Sequence, residues 1–325
     1  MLRFLPLRAP QPLRTLLTWL PGRTVRTALA AAGATVMLAS AQGETLALPA
    51  PHLPGQVLPA LWYPPPGTAG APSSAAGSGP TGAAAGAPIT GRHPAVVMLH
   101  GCGGVGAQDQ PNARHRMWAE WLQARGHAVL FPLSFTARGL GQVCTVPLGL
   151  RTVTPRDRVA DVLAAHDWLA ARPDIDTARI VLWGFSHGGS TVLATLNAGR
   201  SAQSRFRQAI AFYPGCSAYA QAAARGERLR LAAPLQILIG EADDWTPAAP
   251  CHRYAEALQQ AGQTASITGY PGAFHDFDNP AGRLRVRADV PNGVNPGQGV
   301  TVGPDPAARE DAKRRIEALL AAPAN

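Results

Sequence analysis

Ser186 stands between two glycines in Gly184-Phe185-Ser186-His187-Gly188, directly after the apolar run Arg179 to Trp183. A strand turning sharply into a helix holds such a serine in a strained conformation, and only small neighbours let strand and helix approach. Gly184 and Gly188 supply that room, and Val192, Leu193, Ala194 and Leu196 continue in a pattern that a helix would bury. Ser186 then lies at a helix N-terminus, where the dipole favours negative charge. The competing reading of these five residues is a glycine-rich turn without chemistry, so the remaining parts of the chain decide.

A serine on such a scaffold needs an acid and then a histidine, each after a later strand. The apolar run Leu235 to Ile239 opens into Gly240-Glu241-Ala242-Asp243-Asp244-Trp245-Thr246-Pro247, which would deliver a carboxylate to the C-terminal edge of a sheet. Asp243 and Asp244 compete for the role. His275, in Tyr270-Pro271-Gly272-Ala273-Phe274-His275-Asp276-Phe277, follows the strand-like Ala265 to Thr268 and comes last, as required.

The three divide one task. Ser186 Oγ attacks an acyl carbonyl, His275 takes its proton and returns it to the leaving group, and the aspartate fixes the imidazole tautomer and stabilises imidazolium. The developing oxyanion needs two backbone N–H donors, and losing one typically costs about 100- to 1,000-fold in rate. His187, the residue after the nucleophile, offers the first. Cys102 offers the second, from His100-Gly101-Cys102-Gly103-Gly104 after the strand Pro94 to Leu99. His100 is read as a brace of that loop, and the His187 side chain as pointing away. The histidines at 52, 93, 115, 127, 166 and 252 lack metal-ligand spacing, so neither a metal nor a cofactor is expected. Phe135, Trp245 and Phe274 flank strand-end loops and are candidates for lining the mouth, with a core role as the alternative.

The elements that must position these residues are legible as apolar runs at 94–99, 127–132, 179–185, 208–213, 235–239 and 265–269, alternating with longer helical patterns. That alternation predicts an α/β fold with a mostly parallel sheet flanked by helices. Pro155 to Arg172 reads as one helix, with Trp168 as core, and Ala307 to Ala322 as the closing helix. Leu46 to Tyr63 reads as a leading antiparallel strand pair within 42–63, joined to a catalytic domain over 92–325. Residues 64–91 are Pro, Gly, Ala, Ser and Thr almost throughout, which bury too little apolar surface to offset ordering entropy. Asp289 to Pro306 reads as an irregular, exposed insertion near the His275 loop.

Taken together, Val97 to Gly104, Gly126-His127-Ala128-Val129-Leu130-Phe131-Pro132, the elbow, Ala211-Phe212-Tyr213-Pro214-Gly215 and the Asp243 and His275 loops resemble the dienelactone hydrolase family of the α/β-hydrolase superfamily, over roughly 90–322. The resemblance implies an α/β-hydrolase fold. Its acid loop has the Gly-x-x-Asp-x-x-Thr-Pro spacing, which favours Asp243 and leaves Asp244 as runner-up. Dienelactone hydrolases proper carry cysteine where this chain has Ser186, so the implication is acyl-ester cleavage without dienelactone as the assigned substrate.

The first 41 residues contain five arginines and no acid, then an apolar stretch from Ala28 to Leu38 and Ala39-Ser40-Ala41. Export with signal-peptide cleavage after Ala41 is expected, an uncleaved anchor or a misplaced start being the alternatives. The apolar run is too short to span a bilayer comfortably, so no stable membrane insertion is expected after cleavage. Removing the leader takes five of the nine net positive charges and leaves scattered arginines without a basic stripe, which argues against nucleic-acid binding. Cys102, Cys144, Cys216 and Cys251 all follow the leader and allow three connectivities, of which Cys102–Cys144 and Cys216–Cys251 join loops that neighbouring strands bring together. The leading function is an exported serine hydrolase acting on a small acyl or ester substrate. A noncatalytic binding protein or degenerate hydrolase on the same scaffold is the other class, and within enzymes acyl transfer and peptide cleavage stay open.

Overall fold

The computed structural model describes residues 43–67, 91–199 and 205–322. The expected leader and most of the 64–91 linker lie outside the described residues.

The apolar runs build one eight-stranded sheet. β1 (Glu44–Pro49) and β2 (Val57–Tyr63) form the expected antiparallel hairpin, and β2 pairs antiparallel with β4 (Ala128–Pro132). β3 (His93–Leu99), β5 (Ile175–Phe185), β6 (Gln208–Phe212), β7 (Leu235–Gly240) and β8 (Ala265–Tyr270) continue parallel to β4, in the order β1-β2-β4-β3-β5-β6-β7-β8. All five residues of β4 are buried, as expected where helices cover both faces of a parallel sheet.

Among the described residues, helices provide that cover: α1 (Ala113–Gln123), α2 (Val159–Ala170), α3 (His187–Leu196), α4 (Ser217–Ala224), α5 (Ala248–Gln260) and α6 (Pro306–Ala321). Side-chain caps fix two of their starts. Asn112 accepts from the His115 amide at 3.0 Å, and Asp305 accepts from the Ala308 amide at 3.0 Å with Pro306 in the first turn.

Alternation along β5 assigns helices to faces. Trp183 and Phe185 point toward α1, where Trp118 lies 4.9 Å from Trp183 and the Arg114 guanidinium 5.2 Å from Phe185. Gly184, between them, backs onto the first turn of α3. Glu317 of α6 accepts from Arg125, just past the end of α1, at 3.0 Å, and Asn197, at the end of α3, donates to the Tyr254 hydroxyl of α5 at 2.9 Å. The aromatics between sheet and α1 include a stacked pair, Trp183 and Phe212 at 5.6 Å, and such pairs add about 0.5–1.5 kcal/mol beyond the area they bury. Trp168 packs edge-on to Trp62 at 5.1 Å, in keeping with its core reading.

One expectation is corrected. The segment read as irregular and exposed contains β10 (Val300–Val302), which pairs antiparallel with β9 (Arg285–Arg287). Val290, Val300 and Val302 form a small core closed by Trp245. The glycines and prolines of this stretch hid a strand too short to show a period of two.

Candidate active site

β3, β5, β7 and β8 run parallel, so the loops after Leu99, Phe185, Gly240 and Tyr270 all leave the same edge of the sheet. That edge is where open α/β sheets bind ligands.

Ser186 sits there with φ 52° and ψ −113°, a region in which a non-glycine residue costs of order 1–3 kcal/mol. Its surroundings impose the angle. The Ser186 amide donates to the Phe212 carbonyl at 2.9 Å and its carbonyl accepts from the Ser190 amide at 2.8 Å. A Cβ on Gly184 would lie 2.2 Å from the Gly188 carbonyl oxygen, and one on Gly188 would lie 2.3 Å from that of Leu99. Both glycines are therefore sterically required by the approach of β5, α3 and β3.

The loop after β7 holds Asp243, 4% exposed. Its Oδ1 accepts from the amides of Trp245 (2.9 Å) and Thr246 (2.8 Å), and its Oδ2 lies 3.0 Å from Thr246 Oγ1 and 2.7 Å from His275 Nδ1. A carboxylate only accepts, so His275 carries its proton on Nδ1 and presents the Nε2 lone pair. That Nε2 is buried and has no hydrogen-bond partner among the described residues. Asp244 turns elsewhere, accepting from the amide and hydroxyl of Thr301 at 2.7 Å each, and so ties down the β9–β10 insertion. The structure thus brings Asp243, and not Asp244, to His275. Among the described residues it does not join Ser186 Oγ to His275 Nε2 by a hydrogen bond, a contact that commonly tightens only with substrate bound.

Cys102 lies on the loop after β3, which packs against the serine at the preceding residue: a Cβ on Gly101 would lie 3.5 Å from Ser186 Cβ. The Cys102 carbonyl accepts from the Val143 amide at 2.8 Å. Neither the Cys102 nor the His187 amide donates to a protein acceptor among the described residues. The cysteines stand at disulfide distance as Cys102–Cys144 and Cys216–Cys251, each with Cα atoms 4.9 Å apart. His100 Nδ1 donates to the Gly101 carbonyl at 2.9 Å, a bracing contact. His187 is turned away from the serine: Arg158 Nη1, which can only donate, lies 3.0 Å from its Nδ1, so Nε2 bears the proton and donates to the Val153 carbonyl at 3.2 Å. Burial, with the Arg158 charge behind it, pushes both imidazoles well below their usual range and keeps them neutral.

Of the three candidate lining residues, Trp245 is half-buried with its ring 4.7 Å from that of His275, and Phe274 is half-buried beside the same histidine. Phe135, 1% exposed, is wedged between His100 (4.7 Å) and His187 (5.4 Å), the core placement that was its alternative reading.

Sequence reasoning missed the support beneath the histidine loop. Arg114 donates to Asp276 and, at 2.8 Å, to the Tyr213 hydroxyl, which donates to Asp278 at 2.7 Å; Trp118 Nε1 donates to the other Asp278 oxygen at 2.8 Å. Burial would lower the Arg114 pKa, but Asp276, Tyr213 and Asp278 outweigh it and raise the value. Arg114 also pulls the Asp276 pKa down against the effect of burial, whereas burial leaves that of Asp278 raised. The only available signal was composition: two aspartates immediately after a candidate base, which the helical Arg114 gives no local cue for.

Among the described residues there is no His/Cys/Asp/Glu group able to hold a metal, and no helix long and apolar enough to cross a membrane. No curated protein matches the sequence. Solved structures match at low identity and show the fold alone. One, from Klebsiella pneumoniae and described as a dienelactone hydrolase, is 20% identical with a TM-score of 0.56, covering 86% of this chain and 98% of its own. Esterase 2 of Thermogutta terrifontis is 18% identical, TM-score 0.53, covering 85% and 92%. A dienelactone hydrolase-like promiscuous phosphotriesterase from metagenomic libraries is 16% identical, TM-score 0.55, covering 86% and 96%. The dienelactone hydrolase family model matches residues 81–322, most of the chain and every loop described above, and the protein belongs to that family of hydrolases.

Proposed function

We propose that the protein is an exported serine hydrolase that cleaves carboxylic esters or similar acyl bonds of small molecules through Ser186, His275 and Asp243. The observation that carries this is the state of His275: buried, its Nδ1 proton committed to Asp243, its Nε2 unpartnered at the sheet edge where Ser186 is held at positive φ. In the first half-reaction the Ser186 Oγ–acyl carbon bond forms while His275 Nε2 takes the hydroxyl proton. Collapse of the tetrahedral adduct breaks the bond to the leaving oxygen, which receives that proton. Water then repeats both steps on the acyl-enzyme, releasing the acid and restoring Ser186. The Cys102 and His187 amides hold the oxyanion in both passes. Serine in place of the family's cysteine nucleophile supports a simple ester over dienelactone. Two cysteine pairs at disulfide distance support export, since such bonds persist in oxidising compartments.

The test is a fluorophosphonate probe with p-nitrophenyl esters of increasing chain length, on wild type and Ser186→Ala. Labelling and turnover that vanish in the variant are expected; a folded wild type that takes no label moves the protein to the noncatalytic binding class. Intact mass of the exported chain checks cleavage after Ala41.

A further inference from the structure

Arg158 is 0% exposed, yet only one of its three nitrogens is satisfied. Nη1 donates to the His100 carbonyl at 3.0 Å and lies 3.0 Å from His187 Nδ1, while Nε and Nη2 have no partner among the described residues. The guanidinium stands 5.2 Å from the Phe135 ring. Asp161 is near enough to be felt, but its oxygens are taken by His52 at 2.7 Å and by Arg138 at 2.8 and 3.1 Å. No carboxylate therefore pairs directly with Arg158 among the described residues.

The two groups it does hold are informative. The His100 carbonyl begins the loop that presents the Cys102 amide, and His187 is the residue whose amide faces the same oxyanion from α3. Resting on the catalytic reading above, we infer that Arg158 is a positioning residue for the oxyanion site: one nitrogen locks the β3 loop and the first turn of α3 into a single unit, and its unneutralised charge favours the anion that forms there. A brace with only a structural duty would be better served by an apolar side chain, because burying a charge without an ionic partner costs several kcal/mol.

The experiment compares wild type, Arg158→Met, Arg158→Lys and His187→Ala, each checked for folding by circular dichroism. It measures kcat and KM on a p-nitrophenyl ester, Ki for a trifluoromethyl ketone that forms a tetrahedral oxyanion on Ser186, and Ki for the carboxylic acid product as a ground-state ligand. Arg158→Met is expected to lower kcat about 100-fold, the loss typical of one oxyanion donor, with KM within threefold. The ketone should weaken by a similar factor and the acid should not. Arg158→Lys, which keeps the charge, should recover about tenfold of that loss. His187→Ala keeps the amide and removes only the Arg158 acceptor, so it should lose threefold to tenfold in kcat and in ketone affinity. It carries the test alone if Arg158→Met does not fold. A folded Arg158→Met with kcat and ketone Ki within threefold of wild type overturns the inference, as does a His187→Ala enzyme equal to wild type in both, or a loss confined to KM. Wild-type turnover that survives Ser186→Ala would instead sink the catalytic reading itself, so the two failures are told apart.

Discussion

Under the histidine loop Arg114 meets two carboxylates and a phenol, whereas under the oxyanion loop Arg158 meets a carbonyl and an imidazole. Carboxylates hold the first guanidinium firmly charged; burial pulls the pKa of the second down to about 9, with Asp161 only partly offsetting it. The difference reflects two ways of fixing a side chain at the sheet edge. His275 and its loop are placed by a buried charge network that reaches across the sheet to α1. Ser186 and the amides proposed to hold the oxyanion are placed by glycine-limited contacts between backbones, with one cation beneath them. A network of charges fails when one member is removed, because the partners stay buried and unpaired. A steric cradle tolerates the loss of a neighbour but transmits it to geometry.

The widest separation should come from the two adjacent aspartates. Asp243→Asn is expected to cut kcat by on the order of 10⁴-fold, since it leaves His275 with the wrong tautomer. Asp244→Asn should leave kcat within about tenfold and destabilise the β9–β10 insertion instead, because it weakens the bonds to Thr301. Steady-state rates on one ester decide, and equal losses from both variants would reverse the assignment of the acid.

The arginines come next. Arg114→Met strands Asp276 and Asp278 without their cation and should cost about 3–5 kcal/mol in urea unfolding. Arg158→Met strands no carboxylate and should change stability by about 1 kcal/mol or less. If both variants unfold alike, the contrast between the halves is wrong.

That contrast also explains what was readable in the chain. The nucleophile half is local: strand, Gly-x-Ser-x-Gly and helix are contiguous, and so is the Leu99-to-Gly104 turn, so the placement of Ser186, His187 and Cys102 at one sheet edge was legible in short windows of sequence. The parallel strands were visible too, the inner ones because strands buried on both faces read as continuous apolar runs, whereas the edge strand β8 is only partly buried and stood out mainly by its place before the His275 loop. Asp243 could be separated from Asp244 only by spacing, and the reason for the choice, that Asp244 serves Thr301, lies 57 residues along the chain. Arg114, Tyr213, Asp276 and Asp278 are brought together from α1, β6 and the histidine loop, and no window of sequence contains them. Position at a strand end could not separate the two readings of Phe135, because the packing of Phe135 with Cys102, Val143, Cys144 and Val153 joins residues far apart in the chain.

The cysteine pairs sharpen the comparison further, for each half has one. Their separations, 42 and 35 residues, predict nearly equal stabilisation of about 4 kcal/mol by loop entropy. Replacing Cys102 and Cys144 by alanine, or Cys216 and Cys251, should therefore lower stability alike. Only the first pair adjoins a proposed oxyanion donor, so only that double variant should also lose kcat, by about tenfold. Equal kcat in the two double variants would show that the oxyanion loop needs no covalent tether.

The smallest effect expected is a pH dependence of stability seated in the nucleophile half. His115 lies in α1, its Nδ1 against the Val105 carbonyl and its ring 5.5 Å from both Phe131 and Phe185. Burial, with the adjacent Arg114 charge, lowers its pKa to about 3. Between that value and the unfolded value of about 6.5, the unfolded chain binds a proton that the native protein refuses. Stability is therefore full above pH 6.5 and is lost as the pH falls toward 3. At pH 5.5 the loss from this residue is about 1.4 kcal/mol. His100 and His187 shift in the same direction and add to it. His115→Asn keeps a donor for Val105 and removes the titration, so its stability difference between pH 7.5 and 5.5 in urea should be smaller than that of wild type by about that amount. An unchanged difference would place the acid sensitivity elsewhere, in His100 and His187 above all.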